Sequence, residues 1–316
     1  MISQTARHRA ILVAAVLGMA AASSAFASSF YYTTLPVPGS SFENGWGINN
    51  SGQEVGFYTS SGTTEGYLLS GGTLTPIDVS GSTYTFALGI NDSGEVVGEY
   101  QLSDGANYGF LLSGGTYTTL DPFGSTFNAA FGINDSGQVV GDYYSGGTEY
   151  GYLLSGGTYT TLDFPGSTGT GAGAINKSGQ VVGTYMSGGE TYGFLLSGGT
   201  YTTLDVPGST FTEADGINDS GQVVGVYESG GKYYGFLWSG GTYTTLDVTG
   251  STGTFTQGIN NKDQVVGGYA KGGVDYSVEA APTPEPGTLV STASAFCLIV
   301  AWSWRRRRRP GRETIS

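Results

Sequence analysis

Apolar and polar positions alternate along this chain in short runs, and the whole pattern returns about every 42 residues. The clearest run is Gly132-Ile133-Asn134-Asp135-Ser136-Gly137-Gln138-Val139-Val140-Gly141-Asp142-Tyr143. Near-copies of it place Ile at 48, 90, 133, 175, 217 and 259. A period of that length marks a solenoid or a propeller. In the copy that starts near Ser125, the pattern predicts strands at 126–134, 138–143, 150–154 and 158–162. Asp135-Ser136-Gly137, Ser145-Gly146-Gly147 and Ser155-Gly156-Gly157 punctuate them. Four short strands per repeat are the content of one propeller blade.

The repeated residues suit that role. Asn49, Asn91, Asn134, Asn176, Asn218 and Asn260 each open the first turn, where an Asn side chain bonds backbone two residues on. Most also begin an Asn-x-Ser triplet, which at a tight turn reads as turn chemistry rather than glycosylation. The turn glycine of five copies is replaced by Asp263 in the sixth. Tyr58, Tyr100, Tyr143, Tyr185, Tyr227 and Tyr269 end the second strand, suited to packing between neighbouring blades with the hydroxyl on a polar partner.

The repeat is cut out of phase. A fourth-strand motif, Tyr32-Thr33-Thr34-Leu35, stands at the start with no first three strands before it. The last copy, from Gly258, has a second strand near 264–269 and a degraded third at 275–279, with no fourth after them. An N-terminal strand that completes the last blade removes free sheet edges. The expected fold is therefore all-β, a six-bladed β-propeller with four-stranded blades, closed in that way.

Both termini fall outside the pattern. Residues 1–27 place Arg7 and Arg9 before an apolar run at 10–22 and then Ala25-Phe26-Ala27. That order is a secretory signal peptide cut after Ala27, with an uncleaved anchor as the alternative. Residues 282–316 hold Pro284, Glu285 and Pro286, an uncharged stretch at 288–304, and then Arg305, Arg306, Arg307, Arg308 and Arg309. The stretch is at the lower limit for a single C-terminal transmembrane helix, about 17–25 residues. The arginines would hold its far end in the cytoplasm. A nucleic-acid patch is the other use of such a cluster, but a stop-transfer signal fits better behind a signal peptide.

The folded part, 28–281, has only Lys177, Lys232, Lys262 and Lys271 against most of the chain's 25 Asp and Glu. So acidic a domain is not expected to bind nucleic acid or anionic lipid directly. The single cysteine, Cys297, lies in the terminal apolar stretch, which leaves no disulfide for the domain.

Two resemblances follow from these residues. The Gly-Ile-Asn-x-x-Gly-Gln-Val-Val-Gly-x-Tyr … Gly-Phe-Leu … Thr-Thr-Leu-Asp pattern resembles the HAF family of extracellular repeats over nearly all of 30–280. The tail, with Pro284-Glu285-Pro286, its apolar segment and the arginines, is similar to the PEP-CTERM sorting signal of Gram-negative bacteria. The second resemblance implies transient anchoring in the inner membrane and recognition by an exosortase-type processing enzyme. It also implies cleavage near the Pro-Glu-Pro motif, then delivery to the cell surface or extracellular polysaccharide matrix. The first carries no established catalytic residues.

Candidate chemistry is sparse. His8, the only histidine, leaves with the signal peptide, so no Ser-His-Asp triad, Cys-His pair or zinc cluster is available. No Walker-type phosphate motif occurs. A non-catalytic protein without a cofactor is expected. The alternative is a carbohydrate-active enzyme using paired carboxylates such as Glu213 and Asp215. Asp78, Asp121, Asp163, Asp205 and Asp247 follow the fourth strands and would share one rim, where Ca²⁺ is one reading. With no Asp-x-Asp-x-Asp loop, strand-to-turn chemistry is the better one.

Positions that differ between copies are the better site candidates. Two residues before the repeated Ile stand Trp46, Leu88, Phe131, Gly173, Asp215 and Gln257. If the first strand lines a central channel, these surround one mouth. Trp46 and Phe131 are then candidates to stack on a sugar ring, and Asp215 and Gln257 to bond its hydroxyls. A position free to vary is the alternative. The expected function is to bind or organise exopolysaccharide, or another surface partner.

Overall fold

The computed structural model describes residues 30–34, 40, 42–125 and 127–282. The expected signal peptide at 1–27, the Pro-Glu-Pro motif, the apolar stretch at 288–304 and the arginines at 305–309 lie outside the described residues. Among the described residues, no helix is long and apolar enough to cross a membrane.

Each of the first five copies folds into four antiparallel strands in sequence order, and the sixth folds into three. Copy three runs Asn128–Ile133, Val139–Ser145, Thr148–Ser155 and Thr158–Leu162. The second and third strands are longer than the sequence suggested. Ser145 pairs with Thr148, so Gly146 and Gly147 alone make the turn. Both hold positive φ, 62° and 83°, the backbone of a two-residue hairpin whose twist matches its strands. Asp263 adopts φ of 59° in its glycine column, as its short polar side chain permits.

The sixth copy corrects one expectation. Its third strand is not degraded: Val274–Pro282 spans nine residues. That length gives all five residues of the N-terminal strand Phe30–Thr34 a partner, from Phe30 opposite Pro282 to Thr34 opposite Val278.

Neighbouring sheets bury one another's faces. Val139 and Val140 point to opposite faces of one strand, yet are 1% and 0% exposed. Sheets covered on both sides need continuous apolar runs, which explains the Val-Val centre. Val97 and Leu120 of copy two pack with Ala130, Ile133, Tyr143 and Tyr152 of copy three in one cluster. Gly141 is bare because the neighbouring strand and the Tyr152 ring both crowd it; a Cβ there would lie 2.0 Å from the Ala129 carbonyl oxygen and 2.8 Å from Tyr152 Cε1. Tyr143 stacks on Tyr150 at 5.7 Å and shares a 2.8 Å hydrogen bond with Thr161. Tyr185 with Thr203 and Tyr227 with Thr245 repeat that bond.

The six Asn side chains do more than shape turns. Asn134 Oδ1 accepts from the N–H groups of Ser136 and Gln138, while Nδ2 donates to Gln138 Oε1. Nδ2 also donates to the Asn176 carbonyl of the next copy. The same donation runs from Asn49 to Asn91, Asn91 to Asn134, Asn176 to Asn218 and Asn218 to Asn260. Asn260 then donates to the Asn49 carbonyl at 3.0 Å, returning to the start across 211 residues. These side chains are 2–4% exposed, so a glycan on any of them would break the circuit.

Candidate functional site

The candidate site grows from one irregularity repeated in every copy. In each first strand the pairing register slips at a single residue: Trp46, Leu88, Phe131, Gly173, Asp215 and Gln257. A β-bulge leaves its extra residue outside the ladder and re-aims the side chain. All six of these residues line one channel. Beyond them, the six repeated Ile and then the Asn turns continue its wall to the other end.

The mouth is two-sided because of the order of these residues in the chain. Trp46, Leu88 and Phe131 are consecutive around it and apolar, with the Trp46 and Phe131 rings 6.4 Å apart. Gly173, Asp215 and Gln257 complete the other half. Where copy four offers Gly171 and Gly173, a cavity of about 320 Å³ opens. Trp46, Phe131, Asp215 and Gln257 all line it. The structure therefore brings the four sequence candidates together, along with Glu213.

It also adds two carboxyl groups that the sequence reading missed, Asp142 and Glu149 of copy three. They lean over the bare backbone of copy four: a Cβ on Gly171 would lie 3.3 Å from Glu149 Oε1 and 3.8 Å from Asp142 Oδ2. A signal was present. Asp142 follows the second-strand glycine, a column that reads Phe57, Glu99, Asp142, Thr184, Val226 and Gly268. It varies as much as the bulge column does.

Asp142, Glu213 and Asp215 in the cavity wall titrate high. Burial raises Asp142 well above the usual carboxylate range, helped by its hydrogen bond to Glu149 and by repulsion from Glu149 and Glu99. Burial, then Glu213, raises Asp215; burial, then Glu149, raises Glu213. Further out, burial pushes Glu99 up to about 7 against the opposing bond from Asn107.

A second cavity of about 290 Å³, between the first and last copies, shares Phe255 and Gln257 with the first and adds Asn44 and Asp275. The rim aspartates lie elsewhere and serve their turns. Asp163 Oδ1 accepts from Ser167 and Thr170, and Asp247 Oδ1 accepts from Ser251, Thr254 and Lys232. Among the described residues, no three acid, His or Cys groups gather as a metal site.

No protein-family model matches the chain, and no curated protein matches it. Solved structures are similar in shape. A protein described as a TolB from Agrobacterium tumefaciens is 14% identical with a TM-score of 0.56, covering 81% of this chain and 98% of that one. TolB from Acinetobacter baumannii is 13% identical with a TM-score of 0.50, covering 78% and 64%. The β-propeller domain of the Trilobed protease from Pyrococcus furiosus is 11% identical with a TM-score of 0.50, covering 77% and 81%. At such identities the likeness is one of fold alone. The chain is a β-propeller.

Proposed function

We propose that this protein is an exported, non-catalytic, six-bladed propeller, closed by its N-terminal strand, that binds a saccharide of the extracellular matrix at its channel mouth. The pairing of Phe30–Thr34 with Val274–Pro282 and the Asn circuit support the closure. One observation carries the binding: six bulges turn a variable column of the repeat into a single mouth, with aromatic faces on one side and polar groups on the other. Sugars are recognised by that combination, stacking for the ring and hydrogen bonds for the hydroxyls.

Exopolysaccharide from the host should bind the purified full-length protein, with and without Ca²⁺, and Trp46→Ala should weaken it about tenfold through lost stacking. Wild-type binding by Trp46→Ala, or no binding at all, would count decisively against this site. A carbohydrate-active enzyme is the second reading, favoured by the Asp142 and Glu149 carboxyls that line the cavity beside Glu213 and Asp215. Shortening of the polymer in the same incubation would establish it and end the non-catalytic reading.

Export and sorting rest on the terminal sequence patterns and their resemblances. The exosortase-type enzyme is the expected processing partner, with the inner membrane as a transient anchor and the cell surface or matrix as destination. Mass spectrometry of the exported protein should find the chain ending near Pro284-Glu285-Pro286. A mass that includes residues 305–309 would overturn the processing.

A further inference from the structure

The cavity has a chemical bias. Asp142, Glu149, Glu213 and Asp215 face it, and no basic side chain lines it. Two of the four lysines of the domain lie elsewhere: Lys232 is held by Asp247 at 2.9 Å, and Lys177 lines the opposite end of the channel. Burial without a counter-cation favours the protonated form of Asp142, Glu213 and Asp215. The other titratable groups around them are Glu99, Tyr144 and Tyr152, and none supplies positive charge.

A feature independent of the acids points the same way. Gln257 lines this cavity, is 8% exposed, and its Oε1 has no hydrogen-bond partner. In the adjoining cavity Asn44 Oδ1 is likewise unpartnered. Buried acceptors call for a donor. Across the mouth, Trp46 and Phe131 offer π faces, which attract cations. Acids, orphan acceptors and aromatic faces, with no cation among them, complement a protonated amine.

We propose that the channel mouth takes an amino sugar with a free amine, the ammonium lying among Glu213, Asp215 and Gln257 Oε1 and the sugar ring against Trp46 and Phe131. This rests on the saccharide binding inferred above and narrows it to one class. A bare metal ion is a poorer occupant, because no three acids gather to hold one among the described residues. Glu213 and Asp215 titrate high, so an ammonium lying between them should pull them down and drive protons into the buffer. A neutral sugar has no such effect.

Isothermal titration of the full-length protein near neutral pH, with three probes, tests this. The probes are a glucosamine tetramer, its fully N-acetylated counterpart, and tetramethylammonium. The free amine should bind about tenfold tighter than the acetylated oligomer, with heats that change with the ionisation enthalpy of the buffer. Asp215→Asn should remove that tenfold preference. Gly173→Phe, which places in the mouth a side chain that copy three already carries there, should block both oligomers. Equal binding of the two oligomers, or an unaltered preference in Asp215→Asn, overturns the amine and leaves saccharide binding standing. Binding of tetramethylammonium with neither oligomer supports recognition of the amine and overturns the saccharide. Failure of both cationic probes overturns the proposal, and the acetylated oligomer then decides saccharide binding by itself.

Discussion

Asn134→Ala should lower the unfolding free energy by about 4 kcal/mol, from four lost hydrogen bonds and the buried partners they leave behind. Nδ2 donates to Gln138 Oε1 at 2.8 Å and to the Asn176 carbonyl at 3.0 Å; Oδ1 accepts from Ser136 and Gln138. The side chain is 4% exposed, so water cannot replace these bonds. Asn134→Asp keeps the two accepting bonds but loses both donations, and it sets a carboxylate against two oxygens. It should be no better tolerated near neutral pH. Urea titration of both variants provides the measurement. A loss below about 1 kcal/mol would mean that the turn survives without its staple to the next copy. Asp135→Ala is the internal control: its carboxylate bonds Asp92 N–H from an exposed position, where such contacts contribute little.

Glu54→Gln should stabilise the protein by about 3 kcal/mol at pH above neutrality and have little effect in mild acid. Glu54 is 3% exposed in a column that reads Val in the other copies. It accepts from Tyr67 O–H at 2.7 Å and from Ser277 Oγ at 3.3 Å, across the junction of the first and last copies. Two neighbours have changed to make room. Ser277 stands where other copies have Gly, and Gly45 stands where most have Ala, since a Cβ at Gly45 would collide with the carboxylate.

Burial pushes Glu54 from 4.5 up to about 7, despite those two bonds, with Glu279 and Glu43 adding repulsion. The folded state therefore binds the proton more tightly than the unfolded chain. The stability linked to Glu54 is fully present below pH 4.5 and is lost as pH rises towards about 7. Glu99, Asp142, Glu213 and Asp215 shift in the same direction, so the wild type should be more stable at pH 5 than at pH 8. Denaturant midpoints across that range test it. A wild type that gains stability with rising pH, or a Glu54→Gln variant with the wild-type slope, would refute the junction effect.

The strands, turns and copy boundaries were legible because they depend on neighbours in the chain. Alternation marks a strand over a few residues, and Gly-Gly at 146 and 147 marks a hairpin by its backbone freedom. Strand ends were less so: nothing local distinguishes a nine-residue third strand in copy six from the shorter one expected. The candidate site was legible in part. Trp46, Phe131, Asp215 and Gln257 stood out because their column varies, and they do share one cavity. Asp142 and Glu149 were overlooked because each lies in a separate strand, and only the gap left by Gly171 and Gly173 brings them to the same opening.

The sequence by itself determined the repeat, the four-strand unit, the turn chemistry of Asn134 and its equivalents, and the acid balance of the domain. All of these are local or summed properties. The tertiary structure alone decided that the variable residues sit on bulges, that an Asn in each copy is stapled to a carbonyl of the next, and that acids from copies three and five share a cavity. Each is a contact between residues dozens of positions apart, set by how neighbouring sheets pack, and local alternation carries no record of it.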